Sequence, residues 1–496
     1  PFEGIVLTDT FQLAEDGEPM DAVFFPSNNA RADRQKCLDI RVIVGNPPYS
    51  VGQTSQNDNN RNLAYPTLDE SIADTYARRS TATNKNSLYD SYIRAIRWAS
   101  NRVQDSPDGG IIGFVSNGGW IDGNTADGIR LTLPDEFHHI YIYNLRGNQR
   151  TSGEQSRREG GKVFGQGSRN TVAITLLVKR PGPVPPEGAQ IHYRDIGDYL
   201  TREDKLVAIG AVNVADVPWE PIEPNKDGDW INQRDTTFDS LIPLAGSGSI
   251  FGLPTNGLKT NRDAWAYNSS KRALAANIER SIEHYNAQLD DFQRSQPSGN
   301  GKERAEAAKK FVDSDPTRYS WDRADFVRMA TGQRYETSAD MFRTGLYRPF
   351  FKQRVAFGRA VNNETYQLPK LYPTPQATNR GISIVGTGTE VPFACLATDA
   401  LPQMHVVGAS SNTRHYARLR YAEPPAEPTL LEDDDDDASG WQRGSNLNPT
   451  AVRKFQADLG SDLTDDDVFH YVYGALHSPD FRSRYESNLK KEAPRA

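Results

Sequence analysis

The feature that most constrains this chain is a stiff turn set directly after a short apolar run. Val42-Ile43-Val44-Gly45 is rich in β-branched residues, and it stops at Asn46-Pro47-Pro48-Tyr49. Each proline fixes φ and removes a backbone N–H, and Pro48 also restricts Pro47. The pair reads as a buried strand feeding a rigid loop. Downstream, Leu88, Tyr92, Ile96 and Ala99 recur at helical spacing, residues 107–110 break that helix, and 111–115, 140–145 and 172–178 read as further strands. This alternation predicts an α/β layered domain with a mostly parallel sheet. In such sheets ligands bind at the carboxyl ends of the strands, where the Asn46 turn would lie.

The 496 residues are enough for two or three domains. The segment 181–188 reads as the exit from the first. Leu274, Ile278, Ile282, Tyr285, Leu289 and Phe292 then form an apolar stripe at steps of three and four, a long amphipathic helix, with a second helix over 302–312. These serve as a spacer or, equally, as a packing layer. From about residue 340 the chain has short β-like runs rich in proline and glycine, and 465–491 reads as helical. The expected division is therefore 1–185, a linker and helical spacer over 186–339, and a third region over 340–496. Opening at Pro1 without a Met or leader, the chain reads as a piece of a longer polypeptide. No apolar run approaches the roughly 20 residues that span a bilayer, so no membrane partner and a cytoplasmic location are expected. Cys37 and Cys395 are the only cysteines, and His138-His139 lack a second ligand cluster, so no metal site is expected.

The net charge of −8 is concentrated. Residues 423–437 carry eight acidic side chains and no basic one, and the remainder of the chain is balanced. That tract reads as a solvated loop. A balanced remainder leaves nucleic acid open as a partner, because phosphate contacts are made by local basic surfaces.

The Asn46 turn has a definite chemistry open to it. The exocyclic nitrogen of adenine is a poor nucleophile because its lone pair is delocalised into the ring. A site that accepts both amino hydrogens draws that nitrogen toward tetrahedral geometry. The Asn46 side-chain oxygen and the Pro47 carbonyl are suitable acceptors, and Tyr49 suits stacking on the base. Reaching this atom in duplex DNA requires the base to be flipped out. The alternative is a proline-rich turn with Asn46 as an ordinary turn residue.

Five blocks of the sequence are similar to one family: VIVGNPPYSVGQ (42–53), NSLYDSYIRAIRWAS (86–100), GFVSNGGWIDGNTADGIR (113–130), YNLRGNQRTSGE (143–154) and FHYVYGALHSPDFRSRY (469–485). Together they resemble the type ISP restriction-modification enzymes, large single chains that hold a nuclease, a helicase-like motor, an adenine methyltransferase and a DNA specificity domain. The resemblance implies an α/β, Rossmann-like methyltransferase sheet with its N-terminal part absent, followed by the helical spacer and a mixed α/β target-recognition domain. It implies S-adenosyl-L-methionine as cofactor, and double-stranded DNA and the upstream nuclease and motor domains as partners. Asn46, Pro47, Pro48 and Tyr49 match the catalytic loop. Asp9, with Phe11 beside it, matches the acidic position that meets the cofactor's adenine ring; a surface turn is the alternative. Phe164 matches the aromatic against the flipped base; a core aromatic at a strand entry is the alternative. The glycine-rich cofactor loop belongs upstream of Asp9, and no G-x-x-x-x-G-K-[ST] phosphate loop occurs, so the segment alone is expected to be inactive.

Two stretches are candidates for DNA contact. Residues 146–169 contain six basic and two acidic side chains among many Gly and Ser; Arg146, Arg150, Arg157, Arg158, Lys162 and Arg169 read as a flexible phosphate clamp, or as a solvated loop. Residues 343–380 add seven basic residues against one acidic, interleaved with aromatics that suit a core better than base stacking. Asn412-Thr413-Arg414-His415-Tyr416 offers Asn and Arg, the side chains that pair with adenine and guanine edges. Two other functions compete: a DNA-binding specificity module without catalysis, and a methyltransferase acting on RNA or on protein glutamine.

Overall fold

The computed structural model describes residues 4–12, 15, 25–48, 65–104, 106–151, 153–164, 169–389, 391–408, 411–423 and 440–496. Tyr49 and the acidic residues of the 423–437 tract after Glu423 lie outside the described residues. The chain divides into two compact units, Pro1–Arg234 and Asp235–Ala496.

The first unit is built on a six-stranded sheet: β1 (Val42–Gly45), β2 (Gly110–Asn117), β3 (His139–Asn144), β4 (Val172–Lys179), β5 (Gln190–Asp195) and β6 (Glu220–Ile222), in the order β1-β2-β4-β3-β5-β6. The expected stripe is present: Leu88 lies in the turn Asn86–Tyr89, and Tyr92, Ile96 and Ala99 lie on the helix Ser91–Gln104. All four are buried with Ile112 and Phe114 of β2. Two expectations are corrected. The sheet is mixed: β1·β2 and β3·β5 are parallel, whereas β2·β4, β3·β4 and β5·β6 are antiparallel. β4 returns beside β3 as an antiparallel neighbour and fits between it and β2, which strand-by-strand periodicity cannot reveal. Nor is β1 buried: at the sheet edge Val42 is 64% and Val44 80% exposed.

The first unit also runs past residue 185, since β5 and β6 extend the same sheet. Arg130 explains why it continues to 234. Its buried guanidinium donates to the carbonyls of Trp120 (2.8 Å), Gly123 (2.9 Å) and Gly228 (2.6 Å), clamping the segment before Arg234 onto the core. Trp120 and Trp230 meet edge to face beneath it, their ring centroids 5.5 Å apart. At the head of the helix Asp127–Glu136, a Cβ on Gly128 would fall 1.8 Å from the Tyr76 carbonyl, so only glycine admits this packing.

The second unit contains two four-stranded sheets and a ribbon. Its strands are β7 (Pro254–Asn256), β8 (Tyr267–Asn268), β9 (Phe342–Arg348), β10 (Phe351–Ala356), β11 (Gly381–Val385), β12 (Cys395–Thr398), β13 (Leu401–Pro402), β14 (Thr413–Ala417), β15 (Leu419–Ala422) and β16 (Gln442–Ser445). The sheet orders are β13-β9-β10-β8 and β12-β11-β14-β7, with β15 pairing β16. The helix Lys271–Arg294 buries the whole predicted stripe. That stripe packs against Tyr319, Tyr335, Met341 and Ala356, so this helix is a packing layer of the second unit. The chain closes with the helices Asp465–His477, Pro479–Arg484 and Glu486–Lys491. Among the described residues no helix is long and apolar enough to cross a membrane.

Candidate functional site

The Asn46 turn leaves the sheet at a shared end. Gly45 pairs with Phe114 in parallel register, so β1 and β2 run toward the same end of the sheet, β2 continuing to Asn117 after β1 stops. Asn117 of β2 and Asn144 of β3 lie opposite Val172 and Ala173 of β4, and Asn144 stands beside Asp195 of β5. The turn after β1, the loop after β2 and the basic segment between β3 and β4 therefore emerge at one edge, at the carboxyl ends of β1, β2, β3 and β5. A Cβ on Gly45 would sit 3.2 Å from the Phe114 ring, which seats the strand firmly just before the turn. Asn46 is exposed, Pro47 buried and Pro48 exposed. This leaves the Asn46 amide turned to solvent on a backbone anchored by its neighbour.

Asp9 and Phe11 form a cluster with Tyr65, a residue the sequence did not single out. The Asp9 carboxylate accepts from the Phe11 amide (3.0 Å) and from the Tyr65 hydroxyl (2.8 Å). Phe11 meets Tyr65 edge to face at 5.3 Å. Burial, then the Asp9 carboxylate, pushes the Tyr65 hydroxyl well above its ordinary pKa, so it stays protonated and donates. Glu15 accepts from the amides of Thr67 (2.9 Å) and Leu68 (3.0 Å), capping the helix Pro66–Ile72 that begins beside Tyr65. Asp9 is half-buried, and among the described residues each of its oxygens accepts from one partner. A carboxylate has further lone pairs, so it retains capacity to accept from an adenine amino group.

The described residues of the basic segment are held by hydrogen bonds from its own backbone and from a neighbouring helix. Lys205, buried on the helix Arg202–Gly210, donates to the carbonyls of Glu159 (2.7 Å) and Gly161 (2.9 Å). Burial lowers its pKa against the opposing pull of Glu159. Arg202 donates to the Val163 carbonyl (3.0 Å), and the Glu159 carboxylate accepts from the Asn148 amide (2.9 Å). Within this frame the basic side chains differ. Arg146 is half-buried, at φ 55°, and its guanidinium is engaged by Asp195 (2.7 Å) and Asp198, which makes it an internal anchor. Arg157 and Arg158 project from the helix Gly153–Glu159 with Glu154 between them in charge, at 3.2 and 4.0 Å. Arg150 and Arg169 are exposed, and Lys162 is half-buried. Phe164 is half-buried against Leu145, Val163 and Val172, a small core beneath the segment.

In the second unit the Asn412–Tyr416 stretch divides by strand alternation. Asn412 and Arg414 are exposed, while Thr413, His415 and Tyr416 are buried. His415 lies between the Tyr372 hydroxyl and Ser383 Oγ, both at 2.9 Å, and belongs to the core. Arg343 is likewise internal, donating to the carbonyls of Asp340 (2.6 Å) and Pro373 (2.8 Å). Arg348, Lys352, Arg354 and Arg380 remain exposed. Lys352 and Arg380 line a cleft of about 720 Å³ with Phe350, Asp399, His470 and Tyr473.

Comparison with known proteins bears on these sites. Residues 249–496 match the model of the type ISP C-terminal specificity domain. Among curated proteins nothing matches. A nuclease-deletion mutant of the type ISP restriction-modification enzyme LlaGI, in complex with a DNA substrate mimic, is 40% identical with a TM-score of 0.78. The ATP-dependent type ISP enzyme LlaBIII bound to DNA is 34% identical with a TM-score of 0.77. A DrdV–DNA complex is 30% identical, also with a TM-score of 0.77. All three matches cover 100% of this chain, and they cover 36%, 31% and 46% of those chains in turn. The chain thus spans about a third of the first two.

Proposed function

The chain belongs to the type ISP restriction-modification enzymes, and on that premise we propose that it is the later part of a DNA adenine-N6 methyltransferase joined to the domain that selects the DNA sequence. The observation that carries this reading is the Asn46-Pro47-Pro48 turn at the carboxyl end of β1, with Pro47 buried and Asn46 open to solvent. The first unit is then the later portion of a Rossmann-like sheet, and the second unit reads the sequence of double-stranded DNA. The LlaGI, LlaBIII and DrdV structures are all DNA complexes, which supports DNA as the partner here.

Asn46 Oδ1 and the Pro47 carbonyl accept the two amino hydrogens of a flipped adenine and hold its nitrogen ready for in-line attack. Tyr49 stacks on the base. S-adenosyl-L-methionine supplies the electrophilic methyl group on a sulfonium. Asp9 and Phe11 hold the cofactor's adenine ring, with Tyr65 fixing the Asp9 carboxylate. No strong base is required, because the methylated, cationic nitrogen readily gives its proton to water. Arg150, Arg157, Arg158 and Arg169, exposed at the same sheet edge, contact phosphates. Upstream nuclease and motor domains of the same polypeptide complete the enzyme.

The test is the methylation state of host DNA carrying the full parent gene, read at single-base resolution beside an Asn46→Ala variant. We expect N6-methyladenine at one short motif. In the variant it should drop by at least about a hundredfold, the scale of losing one preorganised polar contact at a reacting atom. Absence of the mark in both strains, or equal marks in both, would reject the catalytic reading.

A further inference from the structure

The hairpin of β9 and β10 ends in a tip that the fold does not use. Residues 348–352 are Arg348, Pro349, Phe350, Phe351 and Lys352, and all five are exposed. Phe350 is 89% exposed, more than any other large apolar side chain among the described residues. Its backbone lies at φ 62°, in the left-handed region that hairpin turns ordinarily fill with Gly, Asn or Asp. A phenylalanine there is unfavourable twice, once for its backbone and once for its exposed ring. Such a residue points to a task outside the fold.

The surroundings indicate the partner. The hairpin 342–356 contains four basic residues and no acidic one. Arg343 is internal, so Arg348, Lys352 and Arg354 supply the outward charge. Arg348 stacks its guanidinium on the Tyr347 ring at 3.9 Å, Arg354 donates to Thr344 Oγ1 (3.0 Å), and Lys352 pairs with Asp399 (2.6 Å). These contacts hold the cations on either side of the apolar tip. Proline and phenylalanine are among the side chains that enter between base steps and unstack them, and flanking cations suit the adjoining phosphates.

We propose that the Pro349-Phe350 tip is a wedge that inserts at a base step of duplex DNA, with Arg348 and Lys352 on the flanking phosphates. It would make the second unit sensitive to how readily that step deforms, beyond the base edges it reads. The proposal rests on the DNA-recognition reading above.

The test uses the full chain and a duplex selected by that chain from a random-sequence pool, which needs no methyl transfer. 2-Aminopurine is placed at successive positions, and its fluorescence rises when a base is unstacked. With the wild type, binding should brighten the probe several-fold at one step apart from the adenine that the Asn46 turn flips. Phe350→Ala should abolish the brightening and weaken binding about tenfold, within the range of losing one stacked base. Phe350→Trp should keep both. Arg348→Gln should weaken binding and flatten its salt dependence while leaving the brightening in place. Brightening and affinity unchanged in Phe350→Ala would overturn the wedge while leaving DNA recognition intact. Failure of the wild type to enrich any sequence would overturn recognition itself.

Discussion

His415 carries a proton balance that the whole second unit feels. It is fully buried between Tyr372 and Ser383, and burial lowers its pKa to about 3, against about 6.5 in an unfolded chain. Between those values the unfolded chain binds a proton that the folded one refuses. Stability is therefore fully present above about pH 6.5 and is lost on acidification, at ~1.4 kcal/mol per pH unit, down to about pH 3. Thermal unfolding at pH 7, 6 and 5 should show this fall, and His415→Gln should show a shallower one; parallel curves would rule the assignment out. At this scale the Asn46 turn was readable because two prolines dictate their own geometry. Tyr65 and Lys205 were not, because Tyr65 meets Asp9 across 56 positions and Lys205 meets its carbonyls across 44 and 46. The split of 412–416 into exposed and buried side chains needed a known strand register.

Among the elements, the long helix Lys271–Arg294 was readable almost residue for residue, since an apolar stripe at steps of three and four has one helical solution. What the stripe packs against was not. Beside this apolar packing, the neighbouring elements share a polar cluster. Arg262 pairs with Asp325 (2.6 Å) and Asp322 (3.0 Å), and Asp325 also accepts from Tyr319 (3.3 Å) and Tyr335 (3.1 Å). Arg262→Met leaves Asp325 buried without its cation, so it should cost about 3–5 kcal/mol. Urea unfolding would measure the loss, and a change below about 1 kcal/mol would show that the pair is replaceable. The mixed sheet was missed for a related reason: periodicity identifies a strand but not the strand beside it, and β4 lies between β2 and β3 only through its tertiary pairing.

Across the whole molecule, each described hydrophobic cluster lies within one unit, on one side or the other of Arg234. The stretch 235–496 should accordingly fold alone, with a single cooperative transition by circular dichroism and a monomeric mass by light scattering. Loss of cooperativity would mean that it borrows its core. The same experiment on 1–496 should differ, and β1 is the reason. Val42 and Val44 present an apolar row on a strand that, among the described residues, ends the sheet with no partner strand on its outer side. A second molecule can zipper onto such a row, so samples of the longer chain should grow in mass with concentration. A lysine at Val44 would act as a gatekeeper against that growth.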